Sequence, residues 1–158
     1  MTSVTPTGPL AGLRILDIAT LVAGPLASGL LADLGADVIK IEPPTGELVR
    51  FNGPFVRGDE EKRYGSRYGA RNRNKRSIAL DLNDEADRET FFRLVETADG
   101  LLENQRAGVL DRLGVGYEAC RARNPRLVYA AVRGFGDPRT GASPYAAWPA
   151  RSRRNFGE

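Results

Sequence analysis

Histidine is missing altogether from the 158 residues, and cysteine, methionine and tryptophan occur once each. Without histidine the commonest general base and the commonest metal ligand are gone. A Ser-His-Asp or Cys-His mechanism cannot be assembled within this chain. A zinc site would have to rely on carboxylates, so no metal is expected. The single cysteine, Cys120, rules out an intramolecular disulfide and accords with a reducing, cytoplasmic setting. Nothing basic is placed beside it to favour a thiolate, and it reads as an inert, partly buried helix residue. No run of about 18 apolar residues is present, so no membrane span is expected. Residues 1–9 are polar, with no apolar run behind a basic start, and do not read as a secretory leader. The charge excess is small, 23 basic against 20 acidic residues for a net +3, too little to argue for nucleic acid by itself.

What is present suits one soluble domain with a real core: 41% hydrophobic and 27% charged residues. Leu13 to Ile18 reads as a short buried strand after Gly12. Gly24-Pro25 opens a helix in which Leu26, Leu30 and Leu34 recur at helical spacing, and Gly35 closes it. Asp37 to Glu42 is a second strand, stopped by Pro43-Pro44. Thr45 to Arg76 is long, rich in Gly, Arg and Tyr, and has little periodicity; such loops are usually functional or mobile. Ser77 to Leu82 forms a third strand. Asn83 or Asp84 caps a helix faced by Phe91, Leu94, Val95 and Ala98. Gly100 to Leu102 is a fourth strand, and short helices follow around Val109–Leu113 and at Tyr117 to Arg123. Leu127 to Val132 is the fifth strand, ended by Gly134-Phe135-Gly136. Strands alternating with helices imply an α/β fold: a parallel sheet with helices on both faces.

In such a sheet, ligands gather outside the carboxyl ends of the strands. Four ends carry distinctive residues: Thr20 to Pro25, Glu42-Pro43-Pro44, Glu103 to Arg106, and Arg133 to Gly136. Val22 to Pro25 forms a strand-to-helix turn whose backbone amides suit an anion, or in which Gly24 merely permits the turn. A Gly-x-Gly-x-x-Gly dinucleotide fingerprint and a phosphate-loop lysine are both absent. Residues 71–76 hold four cations and two carboxamides and no acid. That composition suits a polyanion such as a phosphorylated ligand, or equally a solvated loop. It precedes its strand, so the sheet rule puts it at the wrong end unless the loop folds back. Glu103-Asn104 either reads the ligand or is solvated. Arg112 either helps bind a phosphate or pairs with Asp111 or Glu118. Tyr145 and Trp148 lie in a Pro-rich tail that offers a base no firm platform.

Several of these stretches, in this order, resemble the family III CoA-transferases. The matching segments are Gly8 to Asp17 (GPLAGLRILD), Ala23-Gly24-Pro25, Leu31 to Pro44 (LADLGADVIKIEPP), Asn72 to Asp81 (NRNKRSIALD), Ala98-Asp99 with Glu103-Asn104, Gly108 to Gly114 (GVLDRLG), and Asn124 to Val128 through Gly134-Phe135-Gly136. The resemblance implies a Rossmann-like large domain, incomplete here relative to the full-length family fold, and two chains interlocked as a homodimer. It implies movement of CoA between carboxylic acids through an aspartyl-CoA intermediate. Coenzyme A, as the acyl-CoA substrate, and a carboxylic acid are the expected partners, with neither nucleic acid nor membrane among them. The CoA-contacting positions it implies are Leu21, Val22 and Ala23; Asn72, Arg73, Asn74 and Lys75; Asn104, Gln105 and Arg106; and Arg112.

Family members are more than twice this long, and the catalytic aspartate is expected beyond residue 158. On this reading residues 8–137 are the amino-terminal CoA-binding part of the large domain, and 138–158 are an irregular tail, truncated or frame-shifted. Asn104-Gln105 stands where the family has Asn-Phe. The transferase and racemase branches are not distinguished, and this chain alone is expected to be inactive. A non-catalytic CoA- or nucleotide-binding module and an unstable remnant are the alternatives. Binding of nucleic acid through Arg71–Arg76 and Arg151–Arg154 lacks an aromatic platform or a recognition helix.

Overall fold

The computed structural model describes residues 7–134. The tail 138–158, with Tyr145 and Trp148, and the end of the fifth-strand motif at Phe135-Gly136 lie outside the described residues.

Five strands, β1 (Arg14–Asp17), β2 (Asp37–Glu42), β3 (Arg76–Ala79), β4 (Gly100–Glu103) and β5 (Val128–Ala131), form one sheet in the order β3-β2-β1-β4-β5. Every pairing is parallel, with Asp17 opposite Lys40 and Lys40 opposite Ser77. Five helices accompany them: α1 (Ala23–Asp33), α2 (Ser66–Arg71), α3 (Glu85–Val95), α4 (Val109–Arg112) and α5 (Tyr117–Arg123). The order reverses between β1 and β4, which is where a doubly wound sheet opens its crevice.

The two faces of the sheet differ. Because side chains alternate along a strand, Leu16, Ile18, Ile39, Ile41 and Leu101 all reach one face. There they pack with Phe91 and Val95 of α3, Leu110 of α4 and Cys120 of α5 in the main core. Cys120 is fully buried rather than partly so. The other face is apolar in its lower half, where Val38 and Ile15 meet Ala32 of α1 and Ala36, and at Leu102 of β4 beside Asp17. Its upper half carries Asp17, Lys40 and Glu42, all buried. The start of α3 is held by Asp84, whose side chain accepts from the N–H groups of Ala86 and Asp87.

Two expectations change. The long segment after β2 is folded: a 3-10 turn at Leu48–Phe51 and the helix α2 are tied by a bridge between Phe55 and Gly65. The leucine spacing in α1 marks a helix, but not its inner side. Leu26, Leu30 and Leu34 point outward, Leu30 with 52% exposure, while Gly24, Pro25, Ser28, Gly29 and Ala32 face inward. Small residues are needed inside because the helix lies close to its neighbours. A Cβ on Gly29 would stand 2.8 Å from the Arg71 carbonyl oxygen of α2, too close for any unshifted contact.

Gly29→Ala should therefore lower the stability of the chain by about 1–3 kcal/mol through overpacking, despite alanine's better helix propensity. Leu30→Gln should change it by no more than about 0.5 kcal/mol. Urea denaturation of the two variants checks the inward and outward sides of α1; the reverse ranking would contradict them.

Candidate functional site

A cleft of roughly 200 Å³ opens at the carboxyl ends of the strands. Its walls come from Ile18 and Thr20 after β1, Ile41 to Pro43 of β2, Leu80 to Asn83 after β3, Gln105 after β4, and Val109, Leu110 and Leu113 in and beside α4. Most of that lining is aliphatic, with a few polar groups at the rim.

The turn from β1 into α1 borders this cleft and is gripped by buried and half-buried side chains. Asp17 accepts from the N–H of Ala19 at 2.9 Å. Lys40 donates to the Ala19 carbonyl at 2.8 Å. Asn104 makes a two-bond clasp, accepting from the Thr20 N–H at 2.8 Å and donating to the Thr20 carbonyl at 2.7 Å. Lys75 donates to the Pro25 carbonyl at 2.8 Å. Held this way, Leu21 adopts a positive φ of 67°, and Leu21, Val22 and Ala23 are exposed. No side chain caps α1, so its first N–H groups lack the usual intrahelical partner. Gly24 is required by close approach: a Cβ there would lie 2.2 Å from that of Ala19.

The basic loop lies elsewhere than the cleft lining. Arg73 pairs with Asp33 at the end of α1, and Asn74 donates to the same carboxylate at 2.9 Å. That company holds the Asp33 carboxyl below the usual range, chiefly through the Arg73 hydrogen bond. Arg76 pairs with Asp37. Asn72 is buried and donates to the Tyr68 carbonyl. Lys75 reaches farthest: its ammonium contacts Asp17, the Pro25 carbonyl and Asn72 Oδ1, each at 2.8 Å. Both ends of the Lys75–Asp17 pair are essentially sealed from solvent. Burial pulls the Lys75 ammonium below the ordinary lysine value, with Asp17 opposing.

The remaining strand ends also carry buried carboxylates. Glu103 is buried against Arg133. Glu42 takes two hydrogen bonds of 2.7 Å from Arg50 and one of 2.7 Å from Tyr68. Burial alone would raise the Glu42 carboxyl, but the Arg50 and Tyr68 hydrogen bonds outweigh it and hold it at about 2. Burial and the neighbouring Glu42 push the Tyr68 hydroxyl well above its ordinary value. Burial pushes the Cys120 thiol up to about 12, which leaves it unreactive near neutrality.

Of the positions expected from sequence, Gln105 lines the cleft, Asn104 clasps Thr20 in its wall, and Leu21, Val22 and Ala23 follow Thr20 as exposed residues leading into α1. Arg112 belongs to α4, whose Val109 and Leu110 line it. Arg106 and Arg112 are exposed, with no carboxylate partner among the described residues; Glu118 pairs with Arg121 instead. Asn72, Arg73, Asn74 and Lys75 face α1, Asp33 and Asp17. Sequence reasoning missed Leu80, Asp81, Leu82 and Asn83, which line the cleft. Their signal was available: they follow the third strand, at the end where the sheet rule looks for ligands.

A sequence profile of CoA-transferase family III matches residues 10–152. The chain belongs to this family. Among similar family III enzymes, the succinyl-CoA:mesaconate CoA-transferase of Haloarcula hispanica is 51% identical over 134 residues, 85% of this chain and 34% of the relative. The acetyl-CoA:oxalate CoA-transferase of Acetobacter aceti is 46% identical over 150 residues, 94% of this chain and 36% of the relative. The solved structure of a CAIB/BAIF family protein from Brucella suis superposes with a TM-score of 0.77 at 44% identity, covering 82% of this chain and 34% of that one. This family III chain thus spans about a third of the relatives it matches. Among its described residues no helix is long and apolar enough to cross a membrane.

The Glu42 network predicts an acid-sensitive fold. The folded carboxyl sits at about 2 against an ordinary 4.5. Its contribution is therefore complete above about pH 4.5 and fades as pH falls toward 2, on the order of 3 kcal/mol in all. Denaturation measured from about pH 6 down to about pH 3 should show this loss in the unaltered chain. Glu42→Gln should be less stable near neutrality and much less pH-dependent; parallel curves for the two proteins would exclude the assignment.

Proposed function

We propose that the chain is the CoA-binding part of a CoA-transferase that moves CoA between carboxylic acids, and that CoA occupies the cleft at the strand ends. The observation that carries this reading is the pairing of an apolar cleft with an uncapped α1 turn and the exposed guanidinium of Arg112. CoA brings an adenine, a diphosphate and a ribose phosphate. The aliphatic walls suit the adenine ring. The exposed N–H groups of the Leu21–Ala23 turn suit the diphosphate. Arg106 and Arg112 suit phosphate oxygens, which they bind by charge-assisted hydrogen bonds. Asn104 and Gln105 complete the rim, and Leu80 to Asn83 form the opposite wall. In this proposal Asn72, Arg73, Asn74 and Lys75 serve the same ligand from beneath, by holding α1 and its turn.

The chemistry proposed for the whole protein is acyl exchange. An aspartate, expected beyond residue 158, attacks the thioester carbonyl of an acyl-CoA, and the CoA thiolate leaves. The thiolate then attacks the aspartyl carbonyl of the mixed anhydride, releasing the first acid and leaving an aspartyl-CoA thioester. The second carboxylate attacks that thioester and takes the CoA by the same two steps in reverse. Homodimerisation and a cytoplasmic setting belong to the same proposal. The acids named for the relatives, mesaconate and oxalate, indicate the substrate class to test first.

Calorimetric titration of the purified chain with CoA should give measurable binding. Arg112→Ala should weaken it roughly 3- to 15-fold, the loss of one charge-assisted contact. Unchanged affinity would remove Arg112 from the site, and no binding by the unaltered chain would remove the reading. Exchange of label between succinyl-CoA and mesaconate should be absent with this chain alone. Turnover by the pure protein would contradict the placement of the catalytic aspartate.

A further inference from the structure

Three side chains converge on one short turn: two buried lysines and the half-buried Asn104. Lys40 and Lys75 both have side chains 1% exposed. A buried ammonium is expensive, and a buried ion pair is often no more stable than a well-packed apolar pair. What these two do in geometric terms is specific. Lys40 ends on the Ala19 carbonyl and on Glu47, at 2.8 and 2.7 Å. Lys75 ends on the Pro25 carbonyl and on Asp17. Asn104 takes the Thr20 carbonyl between them.

In a trans peptide the carbonyl and the following N–H point in opposite directions. Drawing the Thr20 carbonyl down to Asn104 therefore turns the Leu21 N–H away from the protein interior. No hydrogen bond among the described residues engages the N–H of Leu21 or of Val22. Capture of the Pro25 carbonyl by Lys75 anchors the first turn of α1 beside them. Asp17 fixes Lys75 in turn, and its position is fixed by the Ala19 N–H and by the Ser28 hydroxyl at 2.6 Å. The whole assembly fixes the turn that carries these N–H groups, next to Thr20 in the cleft wall.

We infer that Lys75 is a positioning residue for the diphosphate of CoA: it acts through the Pro25 carbonyl and Asp17 to hold the 19–25 turn, and does not touch the ligand. This rests on the CoA-binding reading above. It goes further than that reading in making the buried, indirect role of this one lysine selective for one part of the ligand. The diphosphate meets the turn. The adenosine lies against Leu80–Asn83 and the aliphatic wall, which Lys75 does not contact.

The test uses the full 158-residue chain and three probes: CoA, ADP and adenosine. The variant is Asp17→Asn with Lys75→Met, which removes both charges together and leaves no unpaired ion in the interior. Binding of each probe is followed by NMR titration, and thermal unfolding is followed in parallel. The expected result is a weakening of about tenfold for CoA and for ADP, with adenosine affinity unchanged. That pattern is not one that general loosening of the fold produces. Equal weakening of all three probes, or no weakening of CoA, overturns the inference while leaving the CoA site standing. Failure of the unaltered chain to bind CoA overturns both. Should the double variant not fold, Asn72→Ala takes its place. It removes one acceptor of Lys75 and spares the ion pair, and it should weaken CoA and ADP about threefold and adenosine not at all. Equal weakening of the three by this variant, or none, again overturns the inference.

Discussion

Asp17 stands at the carboxyl end of the central strand with no part of it open to solvent, and a carboxylate so placed must be matched by a cation and by donors. Lys75, the Ser28 hydroxyl and the Ala19 N–H meet that demand. Much of the surrounding structure follows from it. The lysine must come in under α1, so the inner side of that helix is made of Gly24, Pro25, Ser28, Gly29 and Ala32 rather than leucine. The loop that delivers the lysine must run along α1, where Arg73 finds Asp33.

The same logic explains the long excursion between β2 and β3. Lys40 and Glu42 point to the same face of the sheet as Asp17, and each needs a partner of opposite charge. The excursion returns them: Glu47 to Lys40, Arg50 and Tyr68 to Glu42. A segment with little periodicity in its sequence is thus ordered by polar contacts, which hydropathy patterns do not register. The aliphatic face of the sheet has no such demand, and its helices use Phe91, Val95 and Leu110 in the ordinary way.

Most strands and helices were legible because they are short and apolar at the right period, several of them bounded by Gly or Pro; β2 matches its expected limits, Asp37 to Glu42, whereas the 3-10 turn and α2 lie in a stretch that reads as a loop. The direction of α1 was not legible, because Leu26, Leu30 and Leu34 would mark the inner side of most helices, whereas here they are on the outer one. Asn104 was legible as a polar residue at a strand end, but not as a clasp, since its partner Thr20 lies 84 residues earlier. The composition of the basic loop suggested a polyanionic ligand or a solvated loop, and did not foretell that Arg73, Arg76 and Lys75 pair with Asp33, Asp37 and Asp17 of the protein itself. The cleft-lining residues after β3 were passed over because Leu80 to Asn83 carry no unusual charge; their position in the topology, not their chemistry, marks them.

The clasp makes the shape of a short turn depend on distant parts of the chain. Lys75 and Asp17 are 58 positions apart, and closing a loop of that length carries an entropic cost that local contacts do not share. β1, α1 and β2 are neighbours in sequence, and the contacts among them close only short loops. The turn between β1 and α1 takes its shape from Lys40, Lys75 and Asn104 together, which come from three different strands or their flanks. Its conformation is therefore a property of the assembled sheet and not of its own short sequence.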